Sequence, residues 1–338
     1  MKKVKAEEAV GMTLCHDVTA IIDGFKGALF KRGHIIEESD IPRLLDIGKH
    51  YVYIGEENTG EIHEEDCARR MASMAPVEGA HYIGPSEGKV TLIADERGMF
   101  RVNASLQMKL NQIPDITVTS LPDHYPVETG ARLASMRIIP LVTKEENIAG
   151  AEALCEGERL FDLLPYLPKK AGVVITGSEV YSGRIKDKFE PVAREKLAAF
   201  PCEIIGVKIC DDDLEILTGT AKNFLAQGAE LLIFHGGMSV DPDDLTPTAV
   251  RMLGADIVTY GVPAQPGNMS LIAYLDGVTV LGVPSAAISS RTTLFDVLLP
   301  QVFTGLRLTK DELTNLGNGG LCQQCKSCHY PNCTFGKY

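Results

Sequence analysis

Three short stretches of this chain concentrate glycines, hydroxyls and carboxylates in a way that suits phosphate and cation chemistry. The first holds Thr176, Gly177, Ser178 and Glu179, with Asp187 a little further on. The second is the run Asp211, Asp212 and Asp213, and the third joins Gly236, Gly237 and Ser239 to Asp241, Asp243 and Asp244. Glycine lets backbone N–H groups approach an anion, hydroxyls bind phosphate oxygens, and clustered carboxylates favour a divalent cation such as magnesium. Asp187 alone reads as a helix N-cap, and one of the three consecutive aspartates must cap the helix that follows them. No turn geometry demands Glu179, and three aspartates exceed what one cap requires.

The tail carries a different chemistry. Cys322, Cys325, Cys328 and Cys333 are spaced C-x2-C-x2-C-x4-C, with His329 inside the last gap. Four thiolates within twelve residues can enclose one soft metal centre. The first three resemble the compact run that holds a [4Fe–4S] cluster, and a structural zinc knuckle with His329 as a substitute ligand is the other metal reading. A disordered thiol-rich tail is the third.

The elements that must position the three turns follow from the runs before them. VVIT, EIIGVKI and LLIF are continuous and β-branched rather than alternating, as in parallel strands covered on both faces. Helices are predicted between them at about 188–200, 213–227 and 246–253, with GVTVLGV adding a strand and SSRTTLFDVLLPQVFTGL a closing helix. Right-handed crossovers then place the turns on one sheet edge, where ligands bind in open α/β sheets. The predicted fold class is α/β: a three-layer, doubly wound, mostly parallel sheet over 170–308, preceded by smaller α+β or β-rich domains.

Residues 1–76 read as an N-terminal α/β segment, with one helix between Ser39 and Gly48 and another over Asp66–Met74. Residues 77–165 read as a small β-rich domain in which SLQMKLNQI is a helix and Glu156–Leu164 a second helix leading out. The stretch PYLPKKAG at 165–172 is the expected hinge, and 317–338 the Cys-rich metal-binding tail, the one place where disorder is expected.

A formal net charge of -12 excludes nucleic acid or an anionic membrane as main partner, since both need a basic footprint. Hydrophobic residues at 45% and charged residues at 23% describe a folded chain. The opening MKKVKAEEAVG has no apolar signal-peptide core, and no apolar run reaches membrane-spanning length, so a soluble, cytoplasmic protein is expected. In that reducing setting a cysteine cluster reads as metal-binding rather than disulfide-forming.

Taken in order, TGSE with Asp187 eight residues beyond Glu179, Asp211 and Asp212 with Ile216, GGMSVDPDD ending at Asp244, and the pair Pro266 and Gly267 resemble the molybdopterin-binding family of molybdenum-cofactor biosynthesis. AVGMTLCHDV near the start looks more faintly like the N-terminal part of its molybdopterin molybdenumtransferase branch. The resemblance implies that adenylylated molybdopterin and molybdate react with help from Mg2+, releasing AMP. It would make Glu179, Asp187, Asp212 and Asp244 the acidic catalytic set. Thr176, Gly177, Ser178, Gly236, Gly237, Ser239, Pro266 and Gly267 would bind the phosphate and pterin. It also suggests a homodimer and a recipient molybdoenzyme. Several positions depart from the family pattern: Phe189 replaces an Asn, His235 a Thr or Ser, Asn268 and Met269 a Lys-Pro, and VPSAA at Val283–Ala287 the usual LPGNP. The alternative is a non-catalytic molybdopterin carrier or insertion chaperone with a metal- or redox-sensing tail. A third reading is a metal- or redox-responsive interaction protein on the same fold.

Overall fold

A computed structural model describes residues 1–22, 24–55 and 58–337. The chain forms two compact units, one of residues 1–93, 103–120 and 132–161, the other of residues 94–102, 121–131 and 162 onward. In the first unit a four-stranded antiparallel sheet runs in the order 80–86, 89–94, 132–138, 116–120. The helix Glu64–Met74 buries Cys67, Ala68 and Met71 at helical spacing.

The units interleave along the chain for a reason the sequence does not display. Strand Gly98–Val102 pairs with Tyr125–Val127 and with Phe161–Pro165, forming a small sheet of its own. Tyr125 also donates a hydrogen bond to Asn332 at 2.7 Å, more than two hundred residues later. The helix expected at Glu156–Leu164 is not there. The helix is Glu145–Cys155, it ends before Gly157 at φ 77°, and Phe161–Pro165 is a strand.

The second unit contains the predicted α/β domain. Its six strands, numbered here in chain order, are β1 (Lys169–Thr176), β2 (Cys202–Cys210), β3 (Leu231–His235), β4 (Asp256–Tyr260), β5 (Leu271–Leu275) and β6 (Val278–Val283). The sheet order is β2-β1-β3-β6-β5-β4. The first four run parallel, and β5 and β4 complete one side antiparallel. β1 begins inside the expected hinge, because Lys169 to Ala171 already pair with Cys202 to Ile204.

Three layers follow from the alternation along β1. Val173 and Ile175 face the cluster built with helices Phe189–Leu197 and Leu294–Phe303. Val174 faces Leu217, Ala221 and Phe224 of helix Leu214–Ala226, and Ala249 and Val250 of Thr246–Met252. Fully burying each such aliphatic side chain contributes about 1.5–3 kcal/mol. Helix Leu214–Ala226 starts at its cap Asp213, buries the positions at i, i+4 and i+7 from Leu217, and is followed by Gly228 at φ 86°. Register then aligns the strand ends: Thr176 stands beside Cys210, Ile175 beside His235, and His235 beside Val283. The chain leaves the sheet at one edge in all four places.

The tail is packed, not loose. Leu321 bridges Gln265, whose N–H donates to Gly320 O at 2.7 Å and whose carbonyl accepts from Cys322 N at 2.8 Å. Phe335 is 2% exposed and joins the core with Tyr330 and Cys333. Of the tail called at 317–338, only Tyr338 lies outside the described residues. Among those residues no helix is long and apolar enough to cross a membrane.

Two glycines record how closely helix Leu214–Ala226 lies on the sheet. A Cβ on Gly172 would come 2.6 Å from Phe224 Cγ, and one on Gly206 would come 2.6 Å from Phe224 Cε1. Gly172→Ala is therefore expected to destabilise the protein by about 1–3 kcal/mol, the range for overpacking. Adding Phe224→Leu should recover part of that loss. Thermal unfolding of the two single variants and the pair checks it, with simple additivity the contrary result.

Candidate functional site

Asp212 joins the first two turns. Its Oδ1 accepts from Thr176 Oγ1 at 2.6 Å, and its Oδ2 accepts from Ser178 N at 2.8 Å. Asp211 Oδ1 in turn accepts from Asp212 N at 3.0 Å, while Asp213 Oδ1 caps the following helix by accepting from Ile216 N at 2.9 Å. The three aspartates thus have three separate roles, and only one is a cap.

The third turn is brought against the first by close backbone approach. Gly236 has φ 91°, and a Cβ there would stand 2.2 Å from Thr176 O, so only glycine fits. Thr246 holds the glycine pair in place, its hydroxyl donating to Gly236 O at 2.8 Å and its N–H to Gly237 O at 3.2 Å. Further along, Asp244 Oδ2 accepts from Asp241 N at 2.9 Å. The Tyr260 hydroxyl lies 2.8 Å from Met238 O and 3.0 Å from Ser239 O, which fixes the turn beneath an exposed Ser239.

The other acidic residues are placed differently. Asp187 accepts from Phe189 N at 3.0 Å and Glu190 N at 2.8 Å, and so caps helix Phe189–Leu197. Glu179 is exposed and folds back over Gly177, whose Cβ would lie 3.2 Å from both its oxygens. Thr176, Gly177, Ser178, Asp212, Gly236 and Gly237 therefore form one contiguous edge. Among the described residues no three His, Cys, Asp or Glu side chains stand where they could hold one metal ion, so Glu179, Asp187, Asp212 and Asp244 are not a preformed cation cage. Pro266 and Gly267 are fixed by other partners. Leu294 N donates to Pro266 O at 2.9 Å, and a Cβ on Gly267 would meet Leu294 Cβ at 3.0 Å.

Phe189 and His235, two separate departures in the sequence, turn out to be one feature. Their rings stack with centroids 3.8 Å apart and planes 6° from parallel. His235 Nδ1–H donates to Val283 O at 3.0 Å, tying the stack to the start of VPSAA. Burial pushes the imidazole down to about 4, against the opposing pull of that hydrogen bond and of nearby Asp187. No pattern in the sequence announces the pair, because the ring contact depends on a helix start meeting a strand end.

At the tail, Cys322, Cys325, Cys328, Cys333 and His329 line a single cavity of about 240 Å³, to which residues 289–292 also contribute. Thr292 Oγ1 lies 3.0 Å from Cys328 Sγ, and that hydroxyl together with the Tyr330 backbone holds the Cys328 thiol below its ordinary range.

Comparison with known proteins gives these features a setting. Residues 172–304 match a family described as a probable molybdopterin binding domain, and residues 3–56 match a domain of unknown function (DUF8806). Molybdopterin molybdenumtransferase of Synechococcus elongatus is 28% identical over 180 residues, 46% of this chain and 44% of that protein. A CinA-like protein of Mycobacterium sp. (strain MCS) is 31% identical over 90 residues, 26% of this chain and 21% of that protein. The chain thus spans less than half the length of these curated relatives. Among solved structures, the molybdopterin biosynthesis MoeA protein of Pyrococcus horikosii has a TM-score of 0.34 at 14% identity, covering 90% of this chain and 75% of that one. The MoaB protein of Thermus thermophilus has a TM-score of 0.32 at 16% identity, covering 40% and 89%.

The depressed His235 has a consequence for stability. The unfolded chain binds this proton at an ordinary histidine pKa near 6.5, whereas the folded one binds it only near 4. Stability from this residue is therefore fully present above about 6.5 and falls as the pH drops towards 4, by a total of about 3 kcal/mol. Denaturant unfolding of wild type and His235→Phe across that range should show the wild type losing more stability on acidification, and parallel curves would refute the assignment.

Proposed function

We propose that this protein, whose residues 172–304 belong to the molybdopterin-binding family of molybdenum-cofactor biosynthesis, binds adenylylated molybdopterin at the strand-end edge and promotes molybdate insertion with release of AMP. The observation that carries the reading is the joined edge itself: Asp212 tying Thr176 to Ser178, and Gly236 seated against Thr176 O. Three turns separated in sequence meet there with glycine backbone, hydroxyls and carboxylates, as recognition of a phosphoanhydride requires.

In this reading Gly177, Gly236 and Gly237 give the phosphates close access to backbone, with Ser178 and Ser239 on the rim. Magnesium commonly sits on one or two carboxylates plus substrate phosphates rather than in an all-protein cage. That mode fits an edge whose carboxylates do not converge. Asp212 and Asp244 would be its protein ligands, and the cation would supply charge neutralisation at the anhydride. Asp187, engaged as a helix cap, would act on the phosphates through the field of its charge and by fixing the start of helix Phe189–Leu197. Water attacks the adenylyl phosphorus, the bridging P–O bond breaks, molybdopterin leaves with its own phosphate, and AMP carries the incoming oxygen, with no protein nucleophile needed.

A carrier that keeps the pocket without turnover is the second reading. It is favoured by the loop at Val283–Ala287, where VPSAA turns directly into a short helix at Ala286–Ser289 and buries Ala287.

Supplying adenylylated molybdopterin, molybdate and magnesium and following AMP separates the two. Turnover is expected, and Asp244→Ala should slow it at least about tenfold, a conservative figure for removing one electrostatic stabiliser. An unchanged rate in Asp244→Ala would overturn the site assignment. Tight pterin binding with no AMP from the wild type would replace the enzyme reading with the carrier.

A further inference from the structure

The four cysteines of the tail share one space. Cys322, Cys325, Cys328 and Cys333 all line the same cavity of about 240 Å³, together with His329. A single zinc ion would draw four sulfurs to about 2.3 Å from one centre. A single ion and a cluster alike would have to draw the thiols inward, since among the described residues no three thiol, imidazole or carboxylate donors are gathered at one centre. All nine cysteines are free, so no disulfide accounts for the grouping.

The segment that carries the thiols is held at both ends and open in its middle. On the N-terminal side Leu321 bridges Gln265, and Cys322 N donates to Gln265 O at 2.8 Å. On the C-terminal side the Tyr330 hydroxyl donates to Asp296 O at 3.1 Å, the Lys337 amine donates to Cys333 O at 2.8 Å, and Phe335 is buried in the core. Between these anchors residues 322–333 form neither helix nor strand. Such a loop takes its shape from what it encloses. We propose that the four cysteines hold a [4Fe–4S] cluster in this cavity, beside the loop that follows β6.

A cluster brings its own sulfides and several irons, so it needs both the four thiolates and the room between them. The compact first three ligands at three-residue steps suit it, with Cys333 closing the set from the far side of Pro331. Thr292 stands within 3.0 Å of Cys328 Sγ, where its hydroxyl donates to a ligating sulfur, and hydrogen bonds of that kind adjust cluster potential. Position adds the functional point. Gln265, which anchors the loop, immediately precedes Pro266 and Gly267, and Thr292 follows the short helix that grows from VPSAA. The cluster therefore borders the half of the strand-end edge that departs from the family pattern.

The test uses the full chain and does not depend on the pterin reading. Protein purified without oxygen and incubated with ferrous iron and sulfide should bind iron and acid-labile sulfide in equal amounts and gain broad visible charge-transfer absorbance. Cys325→Ser changes an exposed position and should lose the absorbance while keeping the wild-type circular dichroism. Cys328→Ser should do the same, and Cys202→Ser, outside the tail, should retain it. Stoichiometric zinc without sulfide would overturn the cluster in favour of a single ion. A chromophore that survives both tail variants, or no iron bound after the incubation, would overturn it as well.

Discussion

Everything at the strand-end edge depends on Thr176. Its hydroxyl is committed to Asp212 at 2.6 Å, and its carbonyl is the surface against which Gly236 must lie without a side chain. One residue at the end of a buried strand thereby sets the spacing between three turns that the sequence places far apart. The bond to Asp212 is charge-assisted, and the same carboxylate takes a backbone N–H from Ser178, so the turn after β1 cannot open without leaving a half-buried charge unpaired. Such an arrangement is expensive to build piecemeal. It works because parallel register has already put Thr176 beside Cys210 and Ile175 beside His235.

That dependence explains what could be read in the sequence. Continuous β-branched runs mark covered strands, and right-handed crossovers require that the turns share an edge, so Thr176 to Ser178, Asp212, Gly236 and Gly237 group together on sequence alone. Which aspartate does what could not be read. Asp213 caps and Asp212 clamps only because of where Thr176 lies across the register, a relation between residues separated by 36 positions. The misplaced helix at 156–164 has a local cause in Gly157, which ends a helix begun earlier. The interleaved units have a distant one, since nothing near Tyr125 points to Asn332.

The departures from the family pattern acquire meaning once their neighbours are known. Taken singly, an aromatic residue for an amide at 189 and an imidazole for a hydroxyl at 235 look like lost polar contacts. Together they form a stacked pair in which the His235 Nδ1–H is satisfied by Val283 O. A buried histidine without a flat partner or an acceptor would be costly on both counts. Each of the two replacements removes the penalty the other would incur.

The same logic extends along the edge. Val283, which accepts the His235 bond, opens the loop that becomes helix Ala286–Ser289, and that helix leads to Thr292 at the cysteine cavity. The other boundary of the altered half, Gln265, pairs with Leu321 at the base of the tail. Phe189, His235, Val283 and the cysteine-lined cavity are thus linked through contacts and short connections rather than scattered. Phe189 stacks on His235, His235 binds Val283 O, and the flanking residues Gln265 and Thr292 meet the tail. One side of the strand-end edge thus borders a thiol-lined cavity, while the other holds the glycine turns and the clamp at Asp212.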